Sequence, residues 1–160
     1  METINTTRRT LLKGTALASV LGITGIVDLL TMSQANAAWS EVAFESGSMG
    51  DVMKALFNED LTPTESADIT LKAPDIAENG AVVPIGVKTT MPGVNRIVIL
   101  VEQNPSPLTA TFNLGKGARA DVSTRIKMGK TSDVIALVEA DGKLYAARKN
   151  VKVTIGGCGG

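Results

Sequence analysis

The stretch Val134-Ile135-Ala136-Leu137-Val138-Glu139-Ala140-Asp141-Gly142-Lys143-Leu144-Tyr145-Ala146-Ala147-Arg148-Lys149 decides the fold. Two runs, Val134 to Ala140 and Lys143 to Lys149, flank Asp141-Gly142. Asp-Gly is the pair that a two-residue hairpin turn demands, because both central positions need positive φ. Working outward, Ala118, Ala120, Val122, Thr124 and Ile126 alternate with Arg119, Asp121, Ser123, Arg125 and Lys127. Before them Leu108, Ala110, Phe112 and Leu114 alternate with Thr109, Thr111 and Asn113. Strand side chains point to opposite faces in turn, so both runs predict strands wet on one face.

Further upstream, Ile97, Val98, Ile99, Leu100 and Val101 are apolar without a break. Such a run suits a strand covered on both faces, by the sandwich or by a partner, which makes it one candidate partner surface. Val83, Ile85 and Val87 form one face of another strand, where Pro84 predicts an edge position or a bulge. Ile69, Leu71 and Ala73 alternate before the Asn79-Gly80 turn. Downstream of the hairpin, Val151, Val153 and Ile155 continue an inward-facing row. Seven or so short strands predict an all-β, immunoglobulin-like β-sandwich over residues 68–155.

Residues 38–67 form a lead-in with a short N-terminal helix. Ser48 is placed to cap it, three residues before Asp51, and Val52, Ala55 and Leu56 follow at helical spacing through about Asn58. Met49 and Met53 lie four apart on that helix. They could be imagined as soft copper ligands, but packing is the reading adopted.

The chain ends Ile155-Gly156-Gly157-Cys158-Gly159-Gly160. Cys158 is the only cysteine, with Gly156 and Gly157 before it and Gly159 and Gly160 after. Glycine reaches backbone conformations closed to other residues, so residues 156–160 read as a flexible arm. Extended at about 3.4 Å per residue, the arm lets the sulfur range roughly 10 Å from the last ordered residue. The pattern suits a thiol presented to other proteins. Two alternatives are an interchain disulfide made by an exported adaptor sandwich and the carboxylate chemistry of Gly-Gly-terminated sulfur carriers, which are intracellular. Prenylation at a C-a-a-X box needs three residues after the cysteine, and only two follow Cys158.

The N-terminus reads as an export address. Thr7-Arg8-Arg9-Thr10-Leu11-Leu12-Lys13 resembles the twin-arginine consensus, centred on Arg8 and Arg9. An apolar stretch runs from about Thr15 to Met32, interrupted by Asp28, and Ala35-Asn36-Ala37 is a small-x-small cleavage pattern. Residues 1–37 are thus expected to be a signal peptide cleaved between Ala37 and Ala38, giving a periplasmic mature chain without a membrane span. An uncleaved anchor is the alternative. Because this route moves folded proteins, a partner lacking its own signal could travel with the chain.

Composition limits the chemistry. Residues 1–37 contain Arg8, Arg9 and Lys13 against Glu2 and Asp28, so their removal leaves 13 basic and 14 acidic side chains. A nearly neutral chain lacks the basic face that nucleic acid needs. Histidine is absent, which excludes Ser-His and Cys-His nucleophiles and histidine-based zinc sites. Neither a metal nor another cofactor is expected, and an enzyme acting alone is hard to build from these residues. The Cys158 thiol has no helix N-terminus or histidine to activate it, and the Gly160 carboxylate two residues away opposes a second negative charge. Partner active sites must therefore supply the field that makes it react.

The twin-arginine signal, the small β-rich domain and the terminal Gly156-Gly157-Cys158-Gly159-Gly160 together resemble the SoxY family, the sulfur-carrying subunits of SoxYZ thiosulfate-oxidation complexes. The resemblance implies that Cys158 is the covalent attachment point and that the protein is a carrier, not an enzyme. It also implies a heterodimer with a SoxZ-like β-sandwich subunit. The expected clients are a c-type cytochrome coupling complex, a sulfate-releasing hydrolase and a sulfane dehydrogenase.

Overall fold

The computed structural model describes residues 41–57 and 61–155, all within one compact unit, Ser40–Gly160. Helices α1 (Glu41–Glu45) and α2 (Met49–Leu56) precede the strands β1 (Thr64–Glu65), β2 (Ile69–Lys72), β3 (Ile76–Ala77), β4 (Val83–Thr89) and β5 (Val94–Val101). After them come β6 (Leu108–Asn113), β7 (Asp121–Ile126), β8 (Ser132–Ala140) and β9 (Lys143–Val153). One sheet has the order β1-β9-β8-β5-β6, with β3 also paired to β9, and the other is β2-β4-β7.

The Asp141-Gly142 hairpin forms as expected: Ala140 pairs with Lys143, and the turn residues take φ of 48° and 72°. The turn also rests on Gly93. There φ is 67°, the Asp141 N–H donates to the Gly93 carbonyl, and an added Cβ would fall 1.9 Å from Asp141 Oδ1. Only glycine fits that contact.

Alternation sorts the large sheet's side chains into two cores. Ile97, Ile99 and Val101 on β5, with Val134, Ala136 and Val138 on β8, face Val83, Ile85 and Val87 across the sandwich. Val98, Leu100, Ile135 and Leu137, one position on, face the opposite way and pack under Ala43, Val52 and Phe57. Helices on one face and a second sheet on the other explain why β5 is apolar at every position from Ile97 to Val101. Each fully buried aliphatic side chain contributes about 1.5–3 kcal/mol. The helical lead-in is therefore a third layer. Ser48 caps α2 by accepting the Asp51 N–H at 3.1 Å, and Met49 and Met53 pack against the outer core.

Several expectations are corrected. Ile97–Val101 is fully covered by the protein itself and offers no partner surface. Pro84 lies in the central strand of its sheet, without a bulge. The proline is tolerated because β2 ends at the Lys72–Gly86 pair, so the nitrogen of Pro84 points past the end of that neighbour. Leu108 does not share a face with Ala110 and Phe112. The register shifts beside Thr109, so Leu108 enters the helix-side core. Strand β7 begins only at Asp121, so Ala118 and Ala120 belong to the preceding turn. Val151 is fully buried and Val153 half-buried, but Ile155 is 66% exposed, so the inward row climbs out of the core as the chain ends.

Candidate functional site at the end of the last strand

The residues singled out from the sequence, Cys158 with Gly156, Gly157, Gly159 and Gly160, and the export pair Arg8 and Arg9, lie outside the described residues, as does the Ala37-Ala38 cleavage point. What the structure shows is the platform that ends at Ile155, the residue before the first of these glycines.

That platform is built by short range-limited pairings on the outer edge of β9. At its start, β1 runs parallel to it through Thr64–Tyr145 and Glu65–Ala146. The Arg148 Nε–H donates to Glu65 Oε1 at 2.8 Å. This bond raises the guanidinium pKa above its ordinary value, against a smaller opposing effect of burial. A raised pKa leaves the group fully charged below that ordinary value, so the cation is constant through the neutral range.

At its far end, β3 runs parallel to β9 through Ile76–Lys152 and Ala77–Val153. The segment entering β3 is tied down by Lys149, whose Nζ donates to the Ala73 carbonyl at 2.6 Å and lies 3.0 Å from Asp75 Oδ1. The backbone bonds then follow in sequence. The Lys152 N–H donates to the Asp75 carbonyl at 3.0 Å and the Thr154 N–H to the Ala77 carbonyl at 3.1 Å. Thr154 Oγ1 also donates to the Glu78 carbonyl at 3.3 Å. On the other side of the strand the Val153 N–H donates to Thr131 Oγ1 at 3.0 Å. Finally the Gly80 N–H donates to the Ile155 carbonyl at 2.9 Å, while the Gly80 carbonyl accepts the Met128 N–H at 2.7 Å.

The chain is thus hydrogen-bonded up to the carbonyl of the residue before Gly156. Asp75, Ala77, Gly80 and Thr131 do this work, and sequence reading missed them. Asn79-Gly80 was legible as a turn, but nothing in its composition says that its N–H reaches a residue 75 positions away.

Among the described residues, no group of three or more histidine, cysteine or carboxylate side chains could hold a metal ion. No helix among them is long and apolar enough to cross a membrane. Three surface hollows among the described residues are lined by segments other than residues 149–155. One of about 650 Å³ lies at the opposite end of the sandwich, between the Lys88–Asn95 and Leu114–Asp121 segments.

An all-β sandwich hydrogen-bonded through the Ile155 carbonyl, three residues ahead of a glycine-bracketed cysteine in the sequence, defines a class of scaffold. The family model described as sulfur oxidation protein SoxY matches residues 53–158, a span that ends on Cys158. The sulfur carrier protein SoxY from Chlorobium limicola f thiosulfatophilum is similar in structure and sequence. It has 44% identity and a TM-score of 0.61 over 68% of this chain and 97% of its own. A superoxide reductase (neelaredoxin) from Ignicoccus hospitalis aligns at 19% identity and a TM-score of 0.48, over 67% of this chain and 89% of its own. No curated protein sequence matches the chain. The chain belongs to the SoxY family, and its role is that of a sulfur carrier in sulfur oxidation.

Proposed function

We propose that the protein is a periplasmic carrier that holds thiosulfate-derived sulfur on Cys158 and presents it to a succession of enzymes. The observation that carries this reading is the hydrogen-bonded platform, which reaches Ile155 and hands the chain directly to the glycines around its sole cysteine. Family membership supplies the sulfur chemistry.

The cycle balances as follows. The Cys158 thiol and thiosulfate form an S–S bond, releasing one proton and two electrons to a c-type cytochrome complex. Water then cleaves the terminal S–SO₃ bond, giving hydrogensulfate and a Cys158 persulfide, which a sulfane dehydrogenase oxidises further. The protein contributes position; its clients contribute the field that ionises the thiol. Cofactors and metals belong to the clients. The chain pairs with a SoxZ-like sandwich subunit that has no signal of its own and is exported with it through the route addressed by Arg8 and Arg9.

Replacing Cys158 by Ser or Ala tests the reading. Thiosulfate-dependent reduction of the cytochrome complex should be lost, with the fold unchanged by circular dichroism. Turnover that survives the loss of this sulfur would overturn it. A constitutive interchain disulfide, inert to thiosulfate, would instead establish the adaptor alternative.

A further inference from the structure

The two sheets end on four lateral edges, and three of them are blunted. The outer edge of β9 is occupied at both ends by β1 and β3. Strand β2 is only four residues long, ends on Lys72 and is followed by Pro74. On β7 the Thr89 N–H donates to the Ala120 carbonyl at 2.9 Å, which fixes the alternation of the ladder. Asp121, Ser123 and Arg125 consequently turn their N–H and C=O groups outward, and two of the three bring charges to that edge. Charges, prolines and short strands are the usual defences against unwanted strand pairing.

Strand β6 is guarded only at its start, by Pro107 before it and the register shift beside Thr109. Its sequence, Leu-Thr-Ala-Thr-Phe-Asn over 108–113, carries no charge and no proline. The Leu114 N–H donates to the Asn95 carbonyl at 2.8 Å, so Ala110 and Phe112 spend their backbone groups on β5. Thr111 and Asn113 turn theirs away from it. Among the described residues, β6 has no strand neighbour on that side. Ala110, Phe112 and Leu114 sit beside this edge only partly buried, packed against the sandwich core.

Donors and acceptors repeating at every second residue, about 6.8 Å apart, are matched by another strand and by little else. We propose that β6 is the edge on which a second β-sandwich subunit adds an uncharged strand, continuing the large sheet across the heterodimer. This assignment rests on the heteromeric reading given above and says where that partner sits. It places the interface on the flank of the sheet opposite β9, leaving the platform at Ile155 free for clients.

The test uses the protein as purified from cells, titrated with the purified SoxZ-like subunit, with backbone hydrogen exchange followed in parallel. Binding should slow exchange at the Thr111 and Asn113 amides. Two variants separate fold from interface. Thr111→Pro removes an N–H that makes no bond to β5, and Asn113→Lys keeps every backbone group while adding a charge at an exposed position. Each should weaken binding at least tenfold, and alkylation of Cys158 should proceed at the wild-type rate. Undiminished affinity in both variants, or exchange at Thr111 unchanged by the partner, overturns the assignment to β6 while the heterodimer stands. Protection of Thr111 by self-association of the chain alone overturns the heteromeric occupant. A wild-type chain that does not bind the subunit overturns both proposals.

Discussion

The Gly80 N–H donates to the Ile155 carbonyl across 2.9 Å, joining a turn early in the sandwich to the residue before the C-terminal glycines. Because the Gly80 carbonyl also accepts the Met128 N–H at 2.7 Å, three segments distant in sequence meet at that point. The described scaffold therefore reaches to within three residues of Cys158 in the sequence.

Thr131 belongs to this clamp through its side chain. It accepts the Val153 N–H at 3.0 Å and lies 3.5 Å from the Val153 carbonyl. Thr131→Val keeps the shape and removes the oxygen, so it should cost about 1 kcal/mol of stability. Amide exchange at Val153 should rise more than exchange at Val151, which chemical denaturation and hydrogen-exchange mass spectrometry can separate. Equal protection of Val153 in both proteins would contradict the clamp.

A second prediction concerns the helical layer. Arg96 donates from Nη1 to the Leu56 carbonyl at 2.6 Å and lies over the Phe57 ring at 5.2 Å. Its Nε sits 3.1 Å from Glu139 Oε2, an ion pair whose geometry falls short of a hydrogen bond and leaves that oxygen without one. The Asn95 amide donates to the other oxygen at 3.2 Å. Arg96→Met frees the end of α2 and strands a mostly buried carboxylate, so the expected cost is about 2–4 kcal/mol. Adding Glu139→Gln should recover part of it. A double mutant no more stable than Arg96→Met in urea titration would remove the carboxylate from the explanation.

Much of this fold was legible, and the limits have physical causes. The Asp141-Gly142 hairpin and the Ser48 cap were readable because each depends on local chemistry: positive φ in one and a side-chain oxygen facing the Asp51 N–H in the other. The doubly covered β5 was also legible, but not what covers it. An unbroken apolar run looks the same under the protein's own helices as under a partner. The central place of Pro84 was not legible, because a proline is excluded only where its nitrogen meets a neighbour, and β2 stops short of it. Leu108 misled because a one-residue register shift moves a side chain to the other face. For the site, Cys158 was conspicuous as the only thiol between glycines, but its platform was not. The bonds from Asp75, Ala77 and Gly80 use backbone atoms that every sequence has.

The thiol itself yields a third prediction. With the ordinary thiol pKa of about 8.5, Cys158 should be mostly protonated at neutral pH. Below that pKa the thiolate fraction grows about tenfold per unit, so iodoacetamide alkylation of the isolated protein should accelerate by that factor between pH 6 and pH 7. A rate already level below pH 7 would show a self-activated thiol.

Gly157→Val adds a branched side chain next to the cysteine and closes the conformations only glycine can reach. The melting temperature should not move, since the substitution lies past the platform. Loading through a narrow client channel should slow several-fold, while reaction with a small thiol reagent is little changed. Wild-type turnover with every client would show that glycine is not needed there.

The most direct test is the intact mass of the protein isolated from the periplasm of cells grown with and without thiosulfate, recorded before and after reductant. A carrier predicts reductant-labile sulfur or thiosulfonate adducts that appear with thiosulfate and map to the Cys158 peptide alone. An unmodified thiol, or a disulfide-linked dimer indifferent to thiosulfate, would contradict the account.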